Sequence, residues 1–185
     1  MLTRAHRLTS VAIVEFGLIA TNHLFTNPVA NFMLLFATAV GASLPDIDEY
    51  NSSASRKSII NFSLFLRHRG ITHSLIGFLV FAGGLYYLMN KLMPIQFKSF
   101  TLLNYWTALW LGLVIGYFLH LIEDSFSHQG VDWLAPFLRS KKKRILLHYK
   151  VGGIFEQIIT LIAYVSIILM SLYWVWNLIH SPAKI

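Results

Sequence analysis

The sequence predicts an all-α, polytopic transmembrane helical bundle of about five spans, with residues 1–185 forming a single integral membrane domain. Three observations carry this expectation. The chain is 56% hydrophobic and only 12% charged, whereas a soluble domain holds about 25% charged residues. Apolar runs of about 17–25 residues, the length that crosses a bilayer, recur five times. Of the 15 Lys and Arg residues, 12 gather in alternate connections, the asymmetry that marks cytoplasmic loops. The chain has no cysteine, which excludes disulfides and thiolate metal sites.

The first run, Leu8–Phe25, follows Arg4 and Arg7 as the front of a signal peptide would. Its flank, "TNHLFTNP", lacks a small-residue cleavage pattern, so it reads as an uncleaved anchor. The "TNP" turn closes a tight hairpin with the second run, Pro28–Leu44. That run is short and ends in "ATAVGAS", so it alone carries a re-entrant alternative. Ser74–Met89, Tyr105–Ile122 and Ile158–Ile179 complete the set. No repeat or low-complexity tract interrupts them.

With all five runs crossing, the N-terminus and the loops 45–73 and 127–152 share one side. That side collects Arg4, Arg7, Arg56, Lys57, Arg67, Arg69, Arg139, Lys141, Lys142, Lys143, Arg144 and Lys150. The positive-inside rule makes it cytoplasmic. Only Lys91, Lys98 and Lys184 fall opposite. The formal charge of +7 is therefore a topology signal, and no nucleic acid partner is expected. Residues 139–144, "RSKKKR", follow the apolar "WLAPFL" and are expected to rest on anionic headgroups of the inner leaflet.

The ionisable groups follow the same map. His6, Asp46, Asp48, His68, His73, His120, Asp124, His128, His148 and Glu156 all fall on the cytoplasmic side or within the adjoining helix turns. His23 and His180 lie near the other. Ionisable residues in or beside spans are costly and mark function by default.

His120, Asp124 and His128 are spaced i, i+4, i+8 and form one helical stripe. An imidazole and a carboxylate one turn apart can grip one cation; a polar helix end is the alternative. Glu123 points off the stripe, either to solvent or to a ligand as its partner. In "LPDIDEY", Asp46 and Asp48 repel unless a cation lies between them, or they cap a turn after Pro45. In "RHRGITHS", His73 opens a helix that Thr72 or Ser74 can cap. Arg67 and Arg69 could grip a phosphate or serve as flanking charge. Glu156 lies one turn inside an apolar span, where a bare carboxylate is costly. Glu15 in "VAIVEFG" also needs a partner, with Asn22, Asn31 or a buried His as candidates.

Carboxylates and imidazoles without thiolates describe zinc, manganese or iron sites. About ten such groups suffice for two or three ions, an arrangement suited to in-line attack on phosphoesters.

These residues carry a resemblance. "PDID", "HRGITHS" and "GYFLHLIEDSFSHQGVDWLAPF", in that order, resemble the YdjM-type family of bacterial membrane-bound metal-dependent hydrolases. The resemblance runs from about His6 to Glu156. That family is in turn distantly similar to zinc-dependent phospholipase C and to the zinc nucleases that cut single strands. The resemblance implies a central helix bearing H-x-x-x-D, here His120 and Asp124. It also implies a later carboxylate after a His, here Glu156 after His148.

The expected protein is a metal-dependent hydrolase of the bacterial inner membrane. It has a cytoplasmic N-terminus and a metal site at the cytoplasmic membrane surface. His6, Asp46, Asp48, His68, His73, His120, Asp124 and Glu156 are the expected ligands, for two or three Zn2+ ions with Mn2+ or Fe2+ as alternatives. Asp48, Arg69 and His128 are the expected catalytic groups, and a lipid phosphate among the surrounding membrane lipids is the expected substrate. The rival classes are a non-catalytic membrane factor with a structural metal and a metal transporter.

Overall fold

The structure is a computed structural model that describes residues 1–23, 27–48, 71–97, 104–128, 130–137 and 149–180, without the side chains of Ile47 and Asp48. Arg67, His68, Arg69, His148 and the 139–144 cations lie outside the described residues. Among those described there are five α-helices and no strand: α1 (Thr3–Ala20), α2 (Pro28–Gly41), α3 (Leu75–Leu92), α4 (Tyr105–Ser125) and α5 (Ile154–His180). Short 3-10 turns, Pro45–Asp48 and Ile71–His73, follow α2 and precede α3.

Local chemistry sets the ends. Asn27 caps α2 by accepting from the Ala30 amide, with Pro28 in the first turn where its missing N–H costs nothing. Ser74, one of the two expected caps, accepts from Gly77 at the start of α3, and Asn104 accepts from Thr107 at the start of α4. α1 begins before its apolar run and takes in Arg4, His6 and Arg7. It stops where Asn22 enters the left-handed region (φ 59°).

α3, α4 and α5, of 18, 21 and 27 residues, are long and apolar enough to cross a membrane. α1 has 18 residues but carries Arg4, Arg7 and Glu15. α2 has only 14, or about 21 Å at 1.5 Å per residue. Large apolar side chains face outward, among them Val80 on α3 and Leu161, Leu172 and Trp176 on α5. Small and polar residues face inward, the reverse of a soluble core and the arrangement of helices packed in lipid.

The tightest seam is between α2 and α4. A Cβ on Gly112 would stand 2.4 Å from the Leu34 carbonyl oxygen, one on Gly116 2.2 Å from that of Thr38, and one on Gly41 2.3 Å from that of Leu113. Only hydrogen fits at all three places, so the two backbones touch. Ala30, Leu34 and Ala108 pack along the same seam with Val14 and Leu18 of α1. α1 in turn packs on α2, α4 and α5.

Candidate metal centre

Successive helices run in opposite directions. The N-terminal ends of α1, α3 and α5 therefore meet the C-terminal ends of α2 and α4. His6 enters from α1, Asp46 from the turn after α2 and His73 from the turn before α3. His120 and Asp124 enter from the last turns of α4. All five are buried, His6 and His120 at 0% exposure.

The turn carrying His73 is tied to α4 by two links, one direct and one through Trp133. Tyr117 Oη donates to the Thr72 carbonyl at 2.6 Å. The Leu75 amide donates to the Trp133 carbonyl at 2.9 Å, and Trp133 Nε1 donates to Ser125 Oγ at 3.0 Å. Phe81 stacks on Tyr117 behind this contact.

The ligand atoms converge. His120 Nε2 lies 3.3 Å from His73 Nε2, 3.5 Å from Asp46 Oδ1 and 3.9 Å from Asp124 Oδ2. His73 Nε2 is also 3.9 Å from Asp124 Oδ2. His6 Nε2 lies 3.2 Å from Asp124 Oδ1, and the His6 and His120 rings overlap with centroids 3.9 Å apart. Two overlapping groups have the spacing of a metal site: His6, His120 and Asp124, and Asp46, His73 and His120. Tetrahedral zinc, with bonds of about 2.0–2.1 Å, separates its ligand atoms by about 3.3–3.4 Å. The distances from His120 to His73 and Asp46 fall at that edge length.

Hydrogen bonding fixes which nitrogens are available. His120 Nδ1 donates to the Ala42 carbonyl at 2.8 Å, so its Nε2 carries the lone pair. His6 Nδ1 faces Glu123 Oε2 at 2.6 Å and donates to that carboxylate. Its buried Nε2 makes no well-aligned hydrogen bond, although Asp124 Oδ1 lies 3.2 Å away. An orphaned buried nitrogen beside a carboxylate is the donor set a divalent cation would complete. Imidazole Nε2 has one lone pair, so His120 can serve only one of the two groups at a time. Asp124 can serve both, with Oδ1 toward His6 and Oδ2 toward His73 and His120.

Asp46 is oriented by the Thr3 hydroxyl, which donates to its Oδ2 at 2.8 Å. Burial pushes the Asp46 carboxyl up from its ordinary range, opposed by the nearby His6 imidazole and the Thr3 bond. Without a cation, ionising it in this setting is costly.

Of the other sequence candidates, the described Glu156 and His128 belong to neither group. Glu156 is buried, but its two oxygens accept from the amides of Leu2 at 2.8 Å and Gly152 at 3.0 Å. It stitches the start of α1 to the start of α5. His128 is exposed, because α4 ends at Ser125 and the stripe ends with it. The side chain of Asp48, together with His68 and Arg69, falls outside the described residues. Glu123 is 7% exposed and bonded to His6, so of its two alternatives it is turned from solvent and partners a candidate ligand. Sequence reasoning did not foresee the contact of the Met1 amine with Asp124 Oδ1 at 2.7 Å. Glu15 is paired not with Asn22, Asn31 or a His but with Ser171 of α5 at 3.0 Å.

An all-helical chain with lipid-length apolar helices and a buried imidazole–carboxylate cluster at one end defines a membrane protein with a candidate metal centre. The sequence model described as "YdjM inner membrane protein" matches residues 1–182, and the chain belongs to that family. It is also 30% identical over 147 residues to "Uncharacterized protein YvsG" of Bacillus subtilis (strain 168), covering 77% of this chain and 78% of that one. No solved structure matches.

Proposed function

We propose that this protein is a metal-dependent phosphoester hydrolase of the bacterial inner membrane that acts on a lipid phosphate at the cytoplasmic face. The observation that carries the reading is the convergence of three imidazole Nε2 atoms and two carboxylates, within 3.2–3.9 Å links, at one end of a membrane bundle. Asp46, His73 and His120 would hold one ion, leaving a position open as catalytic sites do. His6 and Asp124 would hold a second. Zinc fits this donor set, as would manganese or iron.

A bound divalent ion supplies a water acidified toward neutrality and positive charge for the phosphoryl oxygens. The chain's own residues do the rest. The Ala42 carbonyl and Glu123 orient the two imidazoles, Thr3 holds Oδ2 of Asp46 while Oδ1 faces His120, and Asp124 spans both groups. His128, exposed just past α4, is suited to carry protons at the mouth. Asp48 would share the carboxylate work, and Arg69 with Arg67 would hold the anionic oxygens of the substrate. A site at headgroup depth favours lipid phosphates over soluble ones, and the basic flanks favour an anionic membrane surface.

A second reading, a non-catalytic membrane factor with a structural metal, is favoured by one observation. His6, His73, His120 and Asp124 are all at 1% exposure or less, as in a closed site. A transporter is disfavoured because the candidate ligands sit at one end of the bundle rather than along it. The deciding experiment measures metal content and hydrolysis of lipid phosphates for wild type and Asp124→Asn. Loss of both supports the hydrolase, loss of metal without any wild-type hydrolysis supports the structural reading, and full metal in Asp124→Asn rejects the site.

A further inference from the structure

The geometry points to Glu123 as the positioning residue that fixes the orientation and tautomer of His6, so that His6 Nε2 is presented as a metal ligand. This inference rests on the metal reading above and names a residue that touches no ion itself.

α1 and α4 build the contact jointly. α4 carries Glu123 next to Asp124, while α1 carries His6 and, one turn later, Ser10. Glu123 Oε2 accepts a hydrogen bond from His6 Nδ1 at 2.6 Å. Its other oxygen accepts from Ser10 Oγ at 3.0 Å. His6 and Ser10 are at 0% exposure and Glu123 at 7%, so no water competes for these bonds. Both carboxylate oxygens are occupied by α1, and the carboxylate cannot turn without losing one of them.

Two properties of His6 follow. In the neutral ring that a metal requires, the proton stays on Nδ1, which leaves the lone pair on Nε2, the atom 3.2 Å from Asp124 Oδ1. The ring also keeps its face against His120, with centroids 3.9 Å apart and planes tilted 31°. A ring flip would carry Nδ1 away from Glu123 and Nε2 away from Asp124 together. Neighbours that hold a ligating imidazole in this way commonly change metal affinity about 10–100-fold when removed. The two histidines of the overlapping group are held differently, His120 by a neutral carbonyl and His6 by a carboxylate. The His6 side is therefore the one that a change in acidic chemistry on α4 selectively disturbs.

The test uses the detergent-purified, full-length protein stripped of metal, in four forms: wild type, Glu123→Leu, Glu123→Gln and Ser10→Ala. Co2+ titration gives the affinity and the visible ligand-field spectrum, and histidine 15N shifts of the metal-free protein, recorded at a pH where the His6 ring is neutral, give its tautomer. Glu123→Leu is expected to lower Co2+ affinity about 10–100-fold, alter the spectrum and mix the His6 tautomers. Glu123→Gln keeps an acceptor oxygen and is expected to restore the Nδ1–H tautomer and most of the affinity, even should the Leu variant fail to fold. Ser10→Ala is expected to fall between. Wild-type tautomer and affinity in Glu123→Leu, or a mixed His6 tautomer in the wild type, would overturn the inference. Absence of Co2+ binding in a wild type that keeps the Nδ1–H tautomer would instead sink the metal reading while leaving the role of Glu123 toward the ring standing.

Discussion

Nδ1 of His120 donates to the carbonyl oxygen of Ala42 at 2.8 Å, and this bond ties the end of α2 to the end of α4. It also decides that His120 offers Nε2 to its neighbours. Because that atom belongs to both candidate groups, His120→Gln should lower bound metal more than His6→Gln or Asp46→Asn does singly. Elemental analysis of the purified variants checks the order. Equal losses in all three would mean that the two groups do not share a ligand.

The i, i+4 spacing made His120 and Asp124 legible in the sequence, because both lie inside α4, where the period is fixed. His128 was misplaced on the same stripe because the helix end is set by local bonds that periodicity does not see. The amides of Phe126 and Ser127 turn back to Glu123 and Asp124, tightening the last turn, and Ser127 Oγ takes the Asp124 carbonyl as well. The need of Glu156 and Glu15 for partners was readable from burial cost alone. Their partners were not, because the amide of Leu2 and the hydroxyl of Ser171 are brought there only by the packing of α1 on α5. The five apolar runs anticipated five helices closely. The shortness of α2 and the charges of α1 are why only three stand as membrane-length apolar helices.

The α2–α4 seam gives a packing prediction. A side chain at Gly116 would meet Thr38 O and Ala42 N, both backbone atoms, so the helices must part. Gly116→Val should cost at least about 1–3 kcal/mol and, by moving Ala42, should also lower metal binding. Gly84 has nothing within 4 Å of its added Cβ, so Gly84→Ala should leave thermal unfolding in detergent unchanged or raised. A Gly116→Val protein with wild-type unfolding temperature and metal content would show that the seam is looser than the backbone contacts imply.

Glu15 tests a different cost. It is 1% exposed, its Oε1 accepts from Ser171 Oγ, and its Oε2 has no hydrogen-bond partner. Ser171→Ala should destabilise by about 1–3 kcal/mol, since it removes the one bond that offsets burial of the carboxyl. Glu15→Leu with Ser171→Ala should recover that loss, because two apolar groups need no partner. Unfolding of the two singles and the double gives the coupling directly. Additive effects would mean that the Glu15–Ser171 bond contributes nothing to holding α1 on α5.

The last prediction concerns orientation. Thr3 of α1 donates to Asp46 beyond α2, so the N-terminal end of α1 and the C-terminal end of α2 are held together. The α1–α2 turn must then lie at the opposite end of the bundle from the candidate metal centre. α2 is about 21 Å long against a hydrocarbon core of about 30 Å, so its insertion relies on the hairpin with α1 and on the close seam with α4. The distribution of basic residues predicts that the end with the candidate metal centre faces the cytoplasm. The chain has no native cysteine, so single cysteines report cleanly. With intact cells, Thr21→Cys in the α1–α2 turn should react with a membrane-impermeant maleimide. Lys150→Cys, exposed beside the metal end, should react only after lysis, and a reporter fused after Ile185 should be active in its extracytoplasmic form. A reversed labelling pattern would put the candidate centre on the outer face. Protection of Thr21→Cys before lysis, with the reporter still in its extracytoplasmic form, would make the α1–α2 pair re-entrant.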